Sequence, residues 1–382
     1  MSRPFVHLHL HSKYSMLDGA CHIKPLVSRA KDLGMTAVAI TDHGVMYGAI
    51  DFYKTCKEAG IKPIVGCEIY INAKAHRSSR DKDIPYHHLV LLAENVEGYH
   101  NLSKINTIAH MEGFYYKPRI DKETLRAHAG GLIALSACLQ GEIPELLKER
   151  HLDAAEAVVR EHIDIFGPDR FFLEMQDHGI KEQKIANEGI RELARRTGLK
   201  TVVTNDVHYL HQSHARAHEV MLCVQTQTVM SDPKRMRYGS DGFYFKSREE
   251  LEKAFPDDAD ALDMTQEIAD RCNLDLVFSD KKAESLHFPL YDVPEGFADG
   301  RSYLIHLGKQ GLEKLYGMAF DQPKDAREQG LVERFNYEVG IIQETGFVNY
   351  FLVVADARGS DRPGARLGGG FHPCLLLGHH AD

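Results

Sequence analysis

Residues 6–18 read VHLHLHSKYSMLD, and where those side chains point decides the fold. Histidines 7, 9 and 11 alternate with Leu8 and Leu10. On a β-strand successive side chains leave on opposite faces, so the three imidazoles share one face and the leucines the other. Histidine is 23 of 382 residues, and chance would place an H-x-H-x-H only about 0.08 times in a chain of that composition. A strand face of aligned imidazoles, with Asp18 following, suits Zn²⁺ or a similar divalent ion.

Working outward, apolar β-branched runs recur, each carrying residues with metal-binding chemistry. TAVAITDH (36–43) ends in Asp42 and His43, KPIVGCEIYI (62–71) carries Glu68, and HHLVLLAE (87–94) carries His88. GLIALSAC (131–138) ends in Cys138, and RFFLEMQDH (170–178) carries Glu174 and closes near Asp177 and His178. KTVVTNDVH (200–208) ends in Asp206 and His208, repeating the i, i+2 logic of the first stretch. Between these runs, Leu26, Val27, Ala30 and Leu33 keep helical spacing. So do the surroundings of Ile50 and Tyr53, the set Leu152, Ala155, Val159, Ile163 and Phe166, and the set Ala186, Ile190 and Leu193.

Seven strands, counting 4–11 as the first, alternate with helices and predict an α/β protein with a mainly parallel sheet. Candidate ligands converging from many strand ends point to a barrel, which gathers functional groups at one face. An open doubly wound sheet gathers them at one switch point. His88 lies near the start of its run, which predicts a distorted or locally reversed strand there. From 212 to 275 the pattern turns helical, with Ser247 and Glu250 at capping-box spacing. Helical stretches are also expected at about 301–316 and 327–345.

Composition bounds the rest. A hydrophobic content of 43% and a charged content of 26% are those of an ordinary globular protein. A net charge of −9 argues against a generally basic, nucleic-acid-coating surface. No secretory h-region and no 18-residue apolar run occurs, and the seven cysteines are scattered with no C-x-x-C pair. A cytoplasmic protein with free thiols and no membrane association is expected.

His9, His11, Asp18, His43, Glu68, His88, Cys138, Asp206 and His208 form a nitrogen, oxygen and sulfur donor set. Nine donors exceed one tetrahedral ion, which implies two or three adjacent divalent metals, Zn or alternatively Mn or Fe. Clustered metals suit phosphoester hydrolysis by an acidified water. His7, Asp42 and Asn205 are expected to support ligands or cap strand ends. Glu174, Asp177 and His178 are expected to satisfy neighbouring backbone. The segment DPKRMRYGSDGFYF (232–245) mixes basic and aromatic residues as a single-strand nucleic-acid surface does, although a solvated loop is the commoner reading; KPR at 117–119 reads the same way.

The run HLHLHS, the ITDHG at 41–45, Glu68, His88, Cys138 and the NDVH at 205–208 resemble the motifs of the polymerase and histidinol phosphatase (PHP) family. GAIDFYKTCKEAGIKPIVGCEIY (48–70), GFYYKPRID (113–121), FFLEMQDHGI (171–180) and VVTNDVHYL (202–210) are similar to the N-terminal part of bacterial replicative polymerase III alpha subunits. The resemblance runs from about residue 4 to 356. It implies a distorted (β/α)7 TIM-like barrel and a trinuclear site held by the nine residues. It implies 3′–5′ exonuclease activity on a DNA 3′ end, with His9, Asp18 and Asp206 catalytic through a metal-held hydroxide. Implied partners are a proofreading exonuclease subunit and other subunits of the polymerase holoenzyme.

The implied domains are a metal-binding barrel with a helical extension at 1–275, a linker at 276–300 and the start of a polymerase palm region at 301–356. The tail ARGSDRPGARLGGGFHPCLLLGHHAD (357–382) departs from the family pattern and reads as an out-of-frame end to a truncated chain. The polymerase aspartates are expected to lie beyond it, and resequencing the locus tests that reading. Two rival readings stand beside the exonuclease: a free-standing phosphatase for a small phosphomonoester, and a metal-stabilised scaffold without catalysis.

Overall fold

The structure, a computed structural model, describes residues 3–278 and 289–359. Two compact units divide at Leu276. In the first, β1 (Ala37–Ile40), β2 (Lys62–Asn72), β3 (His87–Ala93), β4 (Phe114–Tyr115), β5 (Lys117–Asp121), β6 (Leu132–Leu135), β7 (Phe171–Met175) and β8 (Thr201–Val203) build one curled mixed sheet. Helix α1 (Ile23–Asp32) precedes β1, and α2 (Ala49–Ala59), α3 (Val96–Met111), α4 (Lys122–Ala127), α5 (Glu142–Lys148), α6 (Leu152–Phe166) and α7 (Lys181–Thr197) fall between the strands. Helices α8 (Ala215–Gln225), α9 (Arg248–Ala254) and α10 (Ala259–Arg271) follow β8. Strands β1 (AVAI) and β6 (LIAL) are buried at every residue, as a sheet covered on both faces requires.

Parallel pairing joins β1 to β2, β2 to β5, β6 to β7 and β7 to β8. Strand β3 runs antiparallel to both neighbours, β2 and β6. This is the reversal expected at His88. Turned round, β3 presents its beginning at the end where the parallel strands finish, so His88 joins groups from strand ends.

The first expected strand takes a different form. Residues 7–11 lie outside any regular strand, with a bend at His9, and they form a seam between β1 and the segment after β8. Ala39 N donates to His7 O (2.9 Å) and Thr41 N to Leu10 O (2.8 Å) on one side. His11 N donates to Val207 O (2.8 Å) and Val207 N to His9 O (3.2 Å) on the other. Hydroxyls complete the ladder: Val6 N donates to Thr265 Oγ1 and Leu10 N to Thr41 Oγ1. Side-chain acceptors satisfy the backbone here, but the expected alternation breaks at a bend at His9: Leu8 packs in one apolar cluster with Val6, Ala37 and Ala39, and Leu10 in the other with Phe5, Val38 and Ile40.

The amphipathic readings hold for α1 and α7, whose buried residues include Leu26, Val27, Ala30, Ala186, Ile190 and Leu193. In α6, Ala155, Val159 and Phe166 are buried, while Leu152 and Ile163 are half-buried. Ile50 is exposed instead of buried, because Ala49, Phe52, Tyr53 and Cys56 form the inward face of α2. The capping box at α9 forms as spaced, with Ser247 and Glu250 exchanging backbone hydrogen bonds.

The second unit contains α11 (Gly300–Tyr316), α12 (Ala326–Glu344) and α13 (Val348–Gly359). Asp299 and Asp325 cap the first two. Leu312, Met318, Phe335 and Val339 form one cluster, and Leu304, Ile342 and Leu352 another. A Cβ at Gly308 would sit 2.1 Å from the Phe335 ring, so that contact needs glycine. Residues 279–288 of the expected linker and 360–382 of the expected tail lie outside the described residues. No described helix is long and apolar enough to cross a membrane.

Candidate metal centre

The nine expected ligands meet at one end of the curled sheet. His9 and His11 come from the seam, Asp18 from the turn after it, and His43 from the residues after β1, where it bridges to Glu68 of β2. His88 opens β3, Cys138 follows β6, and Asp206 and His208 follow β8. A cavity of about 300 Å³ opens onto Asp18, His43, His88, Cys138, Asp206 and His208. His9, His11 and Glu68 are fully buried beside these groups.

Donor atoms crowd together. His9 Nε2 lies 3.2 Å from Glu68 Oε1 and 3.3 Å from Asp206 Oδ1. His11 Nε2 is 3.1 Å from Asp206 Oδ1, His88 Nδ1 is 2.9 Å from Glu68 Oε1, and His43 lies between Glu68 Oε2 (2.5 Å) and Asp18 Oδ1 (3.2 Å). Cys138 Sγ is 3.7 Å from His88 Nδ1. Three overlapping triplets are spaced to hold a cation: His9, His11 and Asp206; His11, His43 and His208; and His43, Glu68 and His88.

Seven buried atoms lack any hydrogen-bond partner of good geometry: His9 Nε2, His11 Nε2, Asp18 Oδ1, His43 Nδ1, Glu68 Oε2, Asp206 Oδ1 and His208 Nε2. An unsatisfied buried polar group costs about 1–3 kcal/mol, so seven together fit a site whose partners are divalent cations.

The surrounding groups fix which ring nitrogen faces inward. His9 Nδ1 donates to Glu174 Oε1 at 2.6 Å, and Glu174 Oε2 accepts from Ala137 N. The Ser15 hydroxyl donates to Asp42 Oδ1 and therefore accepts from His11 Nδ1 (3.1 Å) and from His43 N. His208 Nδ1 donates to the Asp206 carbonyl at 2.8 Å. Each of these rings thus carries its proton on Nδ1 and offers the Nε2 lone pair to the centre. Tyr238 donates its hydroxyl to Asp18 Oδ2 at 2.9 Å.

Electrostatics follow the same map. Burial pushes His11 down to about 3, helped by His43 and His208. Burial would lower His43 too, but Asp18 and Glu68 outweigh it and raise the ring to about 10. His9 is likewise raised, by Glu174, Asp206 and Glu68 against burial. Burial opposes ionisation of Glu68 and Asp206, yet the histidines hold both carboxyls well below their ordinary range. Burial and Glu68 push the Cys138 thiol up; a coordinated cation reverses that preference and deprotonates it. Asp206 (φ 42) and Ala137 (φ 65) adopt left-handed backbone without being glycine, a conformation costing about 1–3 kcal/mol that clusters at functional sites.

Several expectations change. His7 supports no ligand: its ring packs on Phe245 (4.1 Å) and Phe5 (5.0 Å), and Nε2 contacts the Lys246 carbonyl. Phe5 and Phe245 belong to the cluster that holds Leu10 and not to that of Leu8, so the bend at His9 turns His7 away from the face that His9 and His11 share. Glu174 does more than satisfy backbone, since it orients His9. A lone carboxylate inside the apolar strand FFLEM was the available signal, because a buried charge needs a specific partner. Asp42 supports His11 through Ser15, while Asn205 holds the carbonyls of Gly242 and Tyr244. His178 bonds Asn205 O and Gln183 and stacks on Phe243, outside the ligand set. Asp177 accepts from Gly179 N. The 232–245 segment is a cavity wall through Met236, Tyr238 and Phe243. Tyr238 was missed because its contact with Asp18 spans 220 residues.

Residues 7–178 match the family model described as PHP domain. The chain is 42% identical over 354 residues to a Treponema pallidum protein named DNA polymerase III subunit alpha, covering 92% of this chain and 29% of that protein. Proteins of the same name match at 41% over 373 residues in Helicobacter pylori strain J99, covering 93% and 30%, and at 38% over 406 residues in Thermus aquaticus, covering 92% and 33%. The chain spans about three tenths of the length of these curated relatives. It therefore carries a PHP domain and is a homologue, over nine tenths of its own length, of DNA polymerase III alpha subunits.

Proposed function

We propose that His9, His11, Asp18, His43, Glu68, His88, Cys138, Asp206 and His208 hold two or three divalent cations, and that the centre hydrolyses phosphodiesters at a DNA 3′ end as a 3′–5′ exonuclease. The observation that carries this reading is the set of seven buried donor atoms, crowded into one site, that lack a hydrogen-bond partner of good geometry. Divalent cations bound there supply Lewis acidity and neutralise phosphate charge. Mixed N, O and S donors suit Zn²⁺ and also admit Mn²⁺ or Fe²⁺.

The chain's own residues orient and shield. Glu174 and the Ser15–Asp42 pair keep the Nδ1 protons of His9 and His11 away from the cavity. Tyr238 holds one Asp18 oxygen and leaves the other facing His43. Tyr70, Tyr238 and Phe243 give the cavity an apolar lining that limits water, and Lys117 offers a cation to a phosphate. His9, Asp18 and Asp206 are the proposed catalytic residues, each presenting an unpartnered atom to the centre. A proofreading exonuclease subunit and other holoenzyme subunits are the proposed partners, supported by the relatives' identity.

Purified protein loaded with Zn²⁺ or Mn²⁺ is expected to release nucleotides from the 3′ end of an oligonucleotide and to turn over a small phosphomonoester poorly. A His9→Ala, Asp206→Ala double variant is expected to lose that release. Undiminished release by the double variant refutes the assignment.

A further inference from the structure

Beside the metal-centre cavity lies a second groove of about 350 Å³, lined by Tyr115, Tyr116 and Arg119 together with residues 81, 82 and 84–86. The two share Tyr86 and Gln140 in their linings, so they adjoin. We propose that this groove is the path along which a single-stranded nucleic acid reaches the metal centre, its bases stacking on the Tyr115–Tyr116 pair. The proposal rests on the phosphodiesterase reading above and names where that substrate runs.

Two kinds of observation carry it, aromatic placement and charge. The hairpin of β4 and β5 turns through Tyr116, which is 79% exposed and holds φ 59. A bulky residue in left-handed backbone is rare, and it fixes a large aromatic ring at the tip of a tight turn. Its ring lies 4.6 Å from Tyr115 at 62°. Nearer the centre, Tyr86 meets Tyr70 edge-on at 5.4 Å and Tyr70 stacks on His43. Aromatic faces therefore occur on both sides of the shared lining, an arrangement that suits bases in succession.

Charge makes the second case. The chain carries a net charge of −9, yet the segment 113–119 (GFYYKPR) has two basic residues and no acidic one. Arg80 lies 5.8 Å from the Tyr115 ring and Lys117 5.2 Å from that of Tyr70. Arg119, buried and bonded to the Ser79 carbonyl, lies 5.1 Å from Tyr115 and holds that ring in place, and Asp81 and Lys82 of the lining offset each other. Cations interleaved with stacking platforms are the combination that holds a phosphate backbone and tolerates any base. A small phosphomonoester has no use for a stacking surface outside the cavity, so the groove favours a polymeric substrate.

The test reads binding, apart from hydrolysis. Anisotropy of a 3′-labelled twelve-residue oligothymidylate, with chelator present to stop turnover, is measured against wild type, Tyr116→Ala, Tyr116→Phe and Lys117→Gln. Tyr116→Ala is expected to weaken binding roughly tenfold, the loss of one stacked base, and Tyr116→Phe to restore it. Lys117→Gln is expected to flatten the salt dependence by about one counterion. Equal binding by wild type and Tyr116→Ala, with unchanged thermal unfolding, overturns the proposal. If Tyr116-dependent binding is seen but loaded protein releases no nucleotide, the groove stands and the nuclease reading fails. If loaded protein releases nucleotide while binding is indifferent to Tyr116, the nuclease reading stands and the groove fails.

Discussion

At position 174 a carboxylate sits in a strand with no exposed residue and accepts from His9, Ala137, Gln176 and the Thr204 hydroxyl. Such a group acts on a metal only through the ring it holds. Glu174→Gln puts an amide donor against existing donors, so His9 loses its fixed tautomer. The expected result is a 10- to 100-fold loss of metal affinity with the far-UV spectrum retained, measured by competitive titration with a chromogenic chelator. Unchanged affinity counts against an orienting role. His43, Cys138, Asp206 and His208 of the proposed ligand set were legible because they close apolar runs, DH at 42–43, C at 138 and D-x-H at 206–208, whereas Glu68 inside its run and His88 at the start of its own were legible only beside the other motifs. Glu174 and Tyr238 were harder to read. Their meaning depends on which distant residue they meet, and alternation along one strand carries no such information.

Among the elements, helices with a clean apolar stripe matched expectation, and the misses share a cause. Strands β4 and β5 went unpredicted because GFYYKPRID contains Pro118 and exposed aromatics, and proline within a run argues against a strand. Pro118 is accommodated opposite Phe114 in a two-residue ladder. The next helix, α4, depends on Asp121, whose Oδ1 accepts from Thr124 N (2.8 Å) while Oδ2 accepts from Arg77 N (2.9 Å). Burial alone would raise this carboxyl, but the Thr124 and Arg77 hydrogen bonds hold it at about 2, below its ordinary 3.8. A carboxyl depressed in the folded state stabilises fully above its unfolded value, and that contribution fades as pH falls from about 4 towards 2. Asp121→Ala is expected to cost about 1 kcal/mol at pH 7 and progressively less below pH 4. Urea melts across that range check it; a cost that grows on acidification contradicts the capping account.

For the whole molecule, the proposed metal centre predicts that the first unit's stability depends on bound cations. A cation held at 100 times its dissociation constant contributes about 2.7 kcal/mol, or roughly 5–10 °C in melting temperature for a unit of this size. Adding excess chelator to purified protein is expected to lower the calorimetric transition by that order, and re-addition of Zn²⁺ or Mn²⁺ to restore it. Identical transitions with and without chelator exclude any metal contribution to folding.

The seam has a consequence in time as well as in space. Residues 7–11 are synthesised well before their backbone partner Val207, which follows nearly two hundred residues later. At about 5–20 residues per second, His9 and His11 wait on the order of ten seconds or more before the segment that pairs with them exists. Contacts of such long sequence separation form late in folding. A nascent chain is therefore poor at capturing metal until its last strand has closed the ring, and incomplete chains are left with histidines but no centre.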